Sequence, residues 1–178
     1  MKKLLFISLM PFCAYAADYV ISAYDDARDH DEVSKLVSSS IAEHKLMLST
    51  DPFDLRVEGS FRTVLLRHQN QLAGVVNYFV KKDDSICFID SLFVKPPHNT
   101  SATYLELVKT VLAYACEKKA GYVQTYESTK RRPLAEIKYQ ELIKIGFTEC
   151  EQTEEEKKEN AVLLQLHTST VIPLFKLF

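Results

Sequence analysis

Apolar residues along the chain alternate with polar ones in some stretches and recur every three or four positions in others. The two periods divide the sequence into strands and helices. "DYVISAY" (18–24) has strand composition and gives way to the polar turn "DDARDHD". Val33, Leu36, Val37 and Ile41 then fall on one helical face, with Asp29 or Asp31 as the expected N-cap. "HKLMLSTDPFDLRVEG" (44–59) fits a second helix or a loop, broken at Pro52 and closed by Gly59. Three runs rich in β-branched and aromatic residues follow, "FRTVLLRH" (61–68), "LAGVVNYFVKK" (72–82) and "SICFIDSLFV" (85–94). Their short polar connections predict an antiparallel meander. Lys-Pro-Pro after Val94 ends the third strand by removing two backbone donors.

The next helix is expected to start near Thr100 or Ser101. Its predicted face is Leu105, Val108, Leu112 and Ala115, widened by Tyr104 and Val111, with Gly121 as the stop. "YVQTYES" (122–128) reads as a strand, "LAEIKYQELIKI" (134–145) as a helix ending at Gly146, and "FTECEQ" (147–152) as the start of another strand. "TEEEKKEN" (153–160) reads as a solvated charged hairpin, "AVLLQLHTSTVI" (161–172) as the closing strand, and "PLFKLF" as an apolar tail that could pack on a partner. A meander followed by crossover helices predicts an α/β (α+β) domain: a mixed, mostly antiparallel central sheet with helices on both faces.

Composition narrows the picture. One domain with a full core suits 178 residues, and 47% hydrophobic with 26% charged residues is ordinary for a globular chain. A formal charge of −2 gives no electrostatic reason to expect nucleic acid. Beyond the N-terminus no run approaches the ~20 apolar residues of a membrane span. The N-terminus itself, "MKKLLFISLMPFCAYA" (1–16), has two lysines, an apolar run and Ala14-Tyr15-Ala16 as a small-x-small cleavage site. It reads as a signal peptide, so the domain proper is 18–178 and the protein is exported, periplasmic or secreted. If 1–16 is instead an apolar first strand, the protein is cytoplasmic. Cys87, Cys116 and Cys150 remain after Cys13 is removed, without a CxxC pair. They allow one disulfide but no disulfide framework, or serve as small core hydrophobes.

Candidate chemistry is sparse outside the central strand. His30, His44, His68, His98 and His167 lack metal-ligand spacing, so no metal is expected. His98 suits either a phosphate contact or an exposed turn, and "KRRP" (130–133) either an anionic partner or a solvated turn. Three segments in order carry a resemblance: "FIDSLFVKP", the helix "TYLELVKTVLAYACEKKAG", and "YQELIKIGF". Together they resemble the GNAT superfamily of acyl-CoA-dependent N-acetyltransferases over about residues 18 to 172.

That resemblance implies acetyl-CoA as co-substrate, with its diphosphate at the N-terminus of the helix after the central strand. It implies Asp90 as the general base, the alternative being an acid merely hydrogen-bonded at a strand bulge, and backbone groups of Phe93 and Val94 beside the pantetheine arm. The phosphate loop falls on Asn99, Thr100, Ser101, Ala102 and Thr103, with Tyr104 at the second small position. The family's glycines are missing there: Ala102 stands at the first, and Thr100, Ser101 and Thr103 offer hydroxyls beside it. The family's tyrosine acid, four residues before Gly146, is Leu142 here, which leaves Tyr139 as the candidate acid nearly one turn away. Two functions follow. One is an N-acetyltransferase acting on a small-molecule or protein amine; the other is a secreted, catalytically inactive binding module of the same fold.

Overall fold

The computed structural model describes residues 19–44, 62–81, 85–131 and 133–169. Seven strands form one sheet: β1 (Tyr19–Ala23), β2 (Arg62–His68), β3 (Gln71–Lys81), β4 (Ile86–Val94), β5 (Tyr122–Ser128), β6 (Thr148–Glu149) and β7 (Ala161–His167). Their spatial order is β1-β2-β3-β4-β5-β7-β6. All neighbours are antiparallel except β4 and β5, which run parallel. The helices are α1 (Asp26–His44), α2 (Ser101–Glu117), α3 (Pro133–Ile145) and α4 (Glu154–Glu159). The parallel β4–β5 pair needs a crossover, and α2 provides it.

The sheet is covered on both faces, as its mixed topology requires. Val33, Leu36 and Val37 of α1 pack on Leu65, Val75 and Phe93. On the other face, α2 and α3 bury Leu107, Val111 and Leu142 against Ile89, Leu92 and Val123. Gly74 of β3 permits this closeness: a Cβ there would stand 3.0 Å from the Phe93 carbonyl oxygen and 3.1 Å from Leu107 Cδ1.

The mixed sheet, the three-strand meander and both crossover helices match the reading of the sequence. Several ends do not. α1 starts at Asp26, and its cap is Asp25, whose Oδ1 accepts from the Ala27 N–H at 3.1 Å. Asp29 lies inside the helix with no exposed surface. It accepts from Arg28 Nε and Nη2, Arg67 Nη2 and the Asp25 N–H, all within 2.8–2.9 Å. α2 buries Tyr104, Leu107, Val108, Val111, Leu112 and Ala115, while the expected Leu105 is only half-buried. It ends at Lys118, with Lys119 in the left-handed region (φ 60°), and Gly121 instead bonds to the Ser85 carbonyl in the turn entering β5.

The expected charged hairpin is the helix α4. Thr153 and Glu156 form a reciprocal capping box, which closes the first turn, and Asn160 ends it at φ 55°. Cys87 is buried, whereas Cys116 is exposed and Cys150 half-buried; all three are free thiols. The leader 1–16, the segment 45–59 and the tail 173–178 lie outside the described residues.

Candidate functional site

β4 and β5 pair only from Ile86 to Ile89. Beyond that β5 continues with β7 as far as Ser128, while β4 runs on to Val94 along β3. The two parallel strands therefore part, and a gap opens between them. Asp90 sits where they separate. The β3–β4 register passes from Tyr78↔Ile89 to Asn77↔Ser91, which leaves Asp90 without a partner as the extra residue of a β-bulge.

The bulge also resets the facing of the strand. Cys87 and Ile89 point under α2, and so do Leu92 and Val94, whereas Phe93 packs under α1. In a regular strand residues three apart face opposite sides, so Ile89 and Leu92 share a face only because Asp90 is the extra residue between them. Asp90 is half-buried, and that burial raises its carboxyl above the usual range. Beside it on the strand, Ser91 Oγ accepts from Asn77 Nδ2 at 2.7 Å.

The rim of the gap is backbone. Lys95 N–H donates to the Ala73 carbonyl at 2.8 Å, which fixes the alternation of the ladder. Counting back by two, Phe93 turns its backbone polar groups toward β3, while Val94 and Leu92 turn theirs into the gap. Of the two residues expected at the pantetheine arm, Val94 presents backbone to the gap, and Phe93 contributes a buried ring under α1. Leu92 is the residue the sequence reading missed. The bulge hid it, because its facing follows from a register the strand does not carry by itself.

At the far end of β4 the turn into α2 is held against the sheet edge. His98 Nδ1 lies 3.0 Å from the Tyr19 hydroxyl, and its ring is 5.0 Å from that of His68. Burial, then the neighbouring His68 and Lys95, keep His98 below the ordinary histidine range. Thr100 caps α2, with its oxygen 3.4 Å from the Thr103 N–H and 3.1 Å from the Thr103 hydroxyl. Asn99 is half-exposed, Ser101 and Ala102 are exposed, and Thr103 is buried. The five residues do line the first turn of α2, as the sequence predicts.

That turn is already engaged. The Ser101 hydroxyl donates to Glu141 Oε2 of α3, and Lys144 Nζ holds Glu141 Oε1 at 2.7 Å. Burial opposes the charge of Glu141, but Lys144 and Ser101 outweigh it and hold the carboxyl below its usual range. Tyr104 is buried in the same wall, its phenol pushed up by burial and by Glu127 and Glu141. Behind it, Lys138 Nζ of α3 lies 2.7 Å from Glu127 Oε1 of β5, both side chains under 5% exposed. This is a close ion contact rather than a well-aligned hydrogen bond. Burial raises the Glu127 carboxyl, and Lys138 draws it partly back.

A diphosphate at this place would need free N–H groups, small residues and positive charge. It meets Tyr104 and the Glu141 carboxylate, so the residues at this end of the gap do not fit that part of acetyl-CoA. Glu127, Lys138 and Glu141 escaped the sequence reading. Each sits in an ordinary amphipathic pattern, and its partner lies 11 to 40 residues away.

Tyr139 points its hydroxyl to Glu149 Oε1 of β6 at 2.6 Å, and the Arg131 guanidinium lies 3.5 Å from its ring centre. The hydrogen bond to Glu149, then burial, raises its phenol. Leu142 is fully buried in the core. Arg131 of the "KRRP" cluster is spent on Tyr139, Glu136 and Glu149. No group of three or more His, Cys, Asp or Glu able to hold a metal occurs among the described residues, and no described helix is long and apolar enough to cross a membrane.

No protein-family model matches the sequence, and no curated protein matches it. Solved structures do match. An aminoglycoside 6'-N-acetyltransferase from Enterococcus faecium is similar at 12% identity and TM-score 0.64, over 84% of this chain and 97% of that one. A GNAT-family acetyltransferase from Staphylococcus aureus is similar at 13% identity and TM-score 0.65, over 84% and 99%. The PaiA N-acetyltransferase from Thermoplasma acidophilum, solved with coenzyme A, is similar at 8% identity and TM-score 0.64, over 84% and 98%. With β4 parting from β5 at a bulge and α2 starting beside the gap, the chain has a GNAT-like fold.

Proposed function

We propose that the protein is an N-acyltransferase that moves an acyl group from a thioester to an amine, with Asp90 taking the proton from the amine. One observation carries this reading: the carboxyl at the root of the gap is half-buried, unpaired in the ladder and raised by burial. A base with a raised pKa is better matched to accepting a proton near neutral pH. The backbone N–H groups of Leu92 and Val94, turned to the gap, are suited to an acyl oxygen that gains negative charge. Tyr139 would serve as the acid only by releasing Glu149, so its present bond argues for a packing role. The acceptor is an amine of a small molecule or a protein. The leader-like residues 1–16 support action outside the cytoplasm.

The test is thiol release from acetyl-CoA and from S-acetylpantetheine across a panel of amines. Asp90→Asn is expected to lower amine-dependent release by about 10²-fold. Equal release by the variant would remove Asp90 from the chemistry.

A second reading has its own support. Glu141 at the first turn of α2 and Leu142 in place of the family's acid suit a binding module that has left catalysis behind. That reading expects no thiol release from either thioester with any amine.

A further inference from the structure

The gap is open in character at one end and filled at the other. At its root are Asp90 and the backbone edge of Leu92 and Val94. At the first turn of α2, the Glu141 carboxylate takes the hydroxyl of Ser101, and the Glu141 side chain is only 10% exposed. Lys144 steadies it from the solvent side. Tyr104 and the Glu127–Lys138 pair form the wall beneath, so this carboxylate has a built seat rather than a chance surface contact.

We infer that Glu141 selects the acyl donor, its carboxylate excluding thioesters that carry a diphosphate and leaving the gap to thioesters that lack one. The inference rests on the acyltransferase reading and deepens it. Its physics is like-charge exclusion. A diphosphate brought to this turn must either displace Glu141 from Ser101 and Lys144 or lie against it in a partly desolvated place, and both weaken binding. A donor ending at the pantetheine arm would meet only the strand edge and would not reach the carboxylate. The discriminating element is thus a repulsive one, placed against the wrong ligand. The export signal read in residues 1–16 agrees with a donor other than the cytosolic nucleotide thioester.

The experiment is calorimetric titration of acetyl-CoA and of S-acetylpantetheine into the full chain. It compares the native protein with Glu141→Gln and with Glu141→Gln/Lys144→Gln. The amide keeps an oxygen for Ser101 while removing the charge. The double variant removes the help that a freed Lys144 would give a phosphate. Acetyl-CoA is expected to tighten about tenfold or more in both variants, with S-acetylpantetheine unchanged within about twofold. Acetyl-CoA binding equally to native and variant protein overturns the inference and leaves acyl transfer standing. So does an equal gain for both thioesters, which would mark a general loosening of the wall. If neither thioester binds any of the three proteins while all remain folded by circular dichroism, the acyltransferase reading falls and the inference falls with it.

Discussion

The two ends of the gap between β4 and β5 carry opposite kinds of carboxylate. At the root, Asp90 has no ladder partner and, among the described residues, no paired cation, and burial raises its pKa. At the α2 end, Glu141 has a hydroxyl and an ammonium, and these hold its pKa down against the effect of burial. One group is poised to exchange a proton; the other is fixed as a charge. Burial alone therefore does not decide what a carboxylate does, and the donors around it do. Asp29 makes the same point from the opposite face of the sheet. It is wholly buried, yet four donors hold its carboxyl far below the ordinary range.

The largest effect is expected from breaking the wall that seats Glu141. Lys138→Met leaves the Glu127 carboxyl buried without its nearest cation, with only Arg131 acting from farther off, and losing one partner of a buried pair costs about 3–5 kcal/mol. Urea unfolding should show that loss at pH 7. Adding Glu127→Leu should recover most of it, because two apolar side chains can fill the space without a desolvated charge. If Lys138→Met alone is neutral, the pair does not support the α2 end. At the root, the support is steric rather than ionic. Gly74→Ala drives a methyl to 3.0 Å from the Phe93 carbonyl and 3.1 Å from Leu107. Overpacking of this kind costs about 1–3 kcal/mol. The same unfolding measurement checks it, and an unchanged midpoint would mean that α2 shifts freely away from β3.

The contrast between the two ends was only half legible in the sequence. Asp90 could be read because "FIDSLFVKP" resembles the family's central strand, and that resemblance implies a carboxylate four residues before Val94. A bulge at Asp90 is one of its two readings in the sequence, but the register of that bulge is a relation between β3 and β4 and could not be read there. Glu141 looked like any charged helix residue, because its Ser101 contact joins two helices 40 residues apart. The elements themselves followed from periodicity, as α2 and the β2–β3–β4 meander show. Their ends were harder. Gly121 resembled a helix stop, yet Lys119 takes the left-handed position, stabilised by backbone bonds back to Cys116. The α4 turn was readable in "TEEE", where Thr and Glu three apart spell a capping box, but the density of charge masked it.

The smallest effect tests the root most directly. Burial holds the folded-state pKa of Asp90 above the ordinary aspartate value, so the folded protein holds this proton more tightly than the unfolded chain does. Between those two values the native state binds more protons, and stability falls as pH rises through the window. Above the folded pKa the cost of the buried charge is constant; below the ordinary aspartate value it is absent. Asn at position 90 carries no such charge. The Asp90→Asn variant should therefore unfold at the same temperature as the native protein near pH 3. It should be slightly the more stable of the two at pH 7, while losing amine-dependent turnover. Glu141→Gln should move oppositely with pH. Its native carboxyl is held below the usual value and contributes stability that is present at neutral pH and lost as pH falls through the folded pKa. Parallel melting curves for the two variants against pH would then diverge in opposite directions toward neutral pH. Curves that moved together would mean that the two carboxylates share one environment, and the division of the gap into a reactive root and a charged gate would not stand.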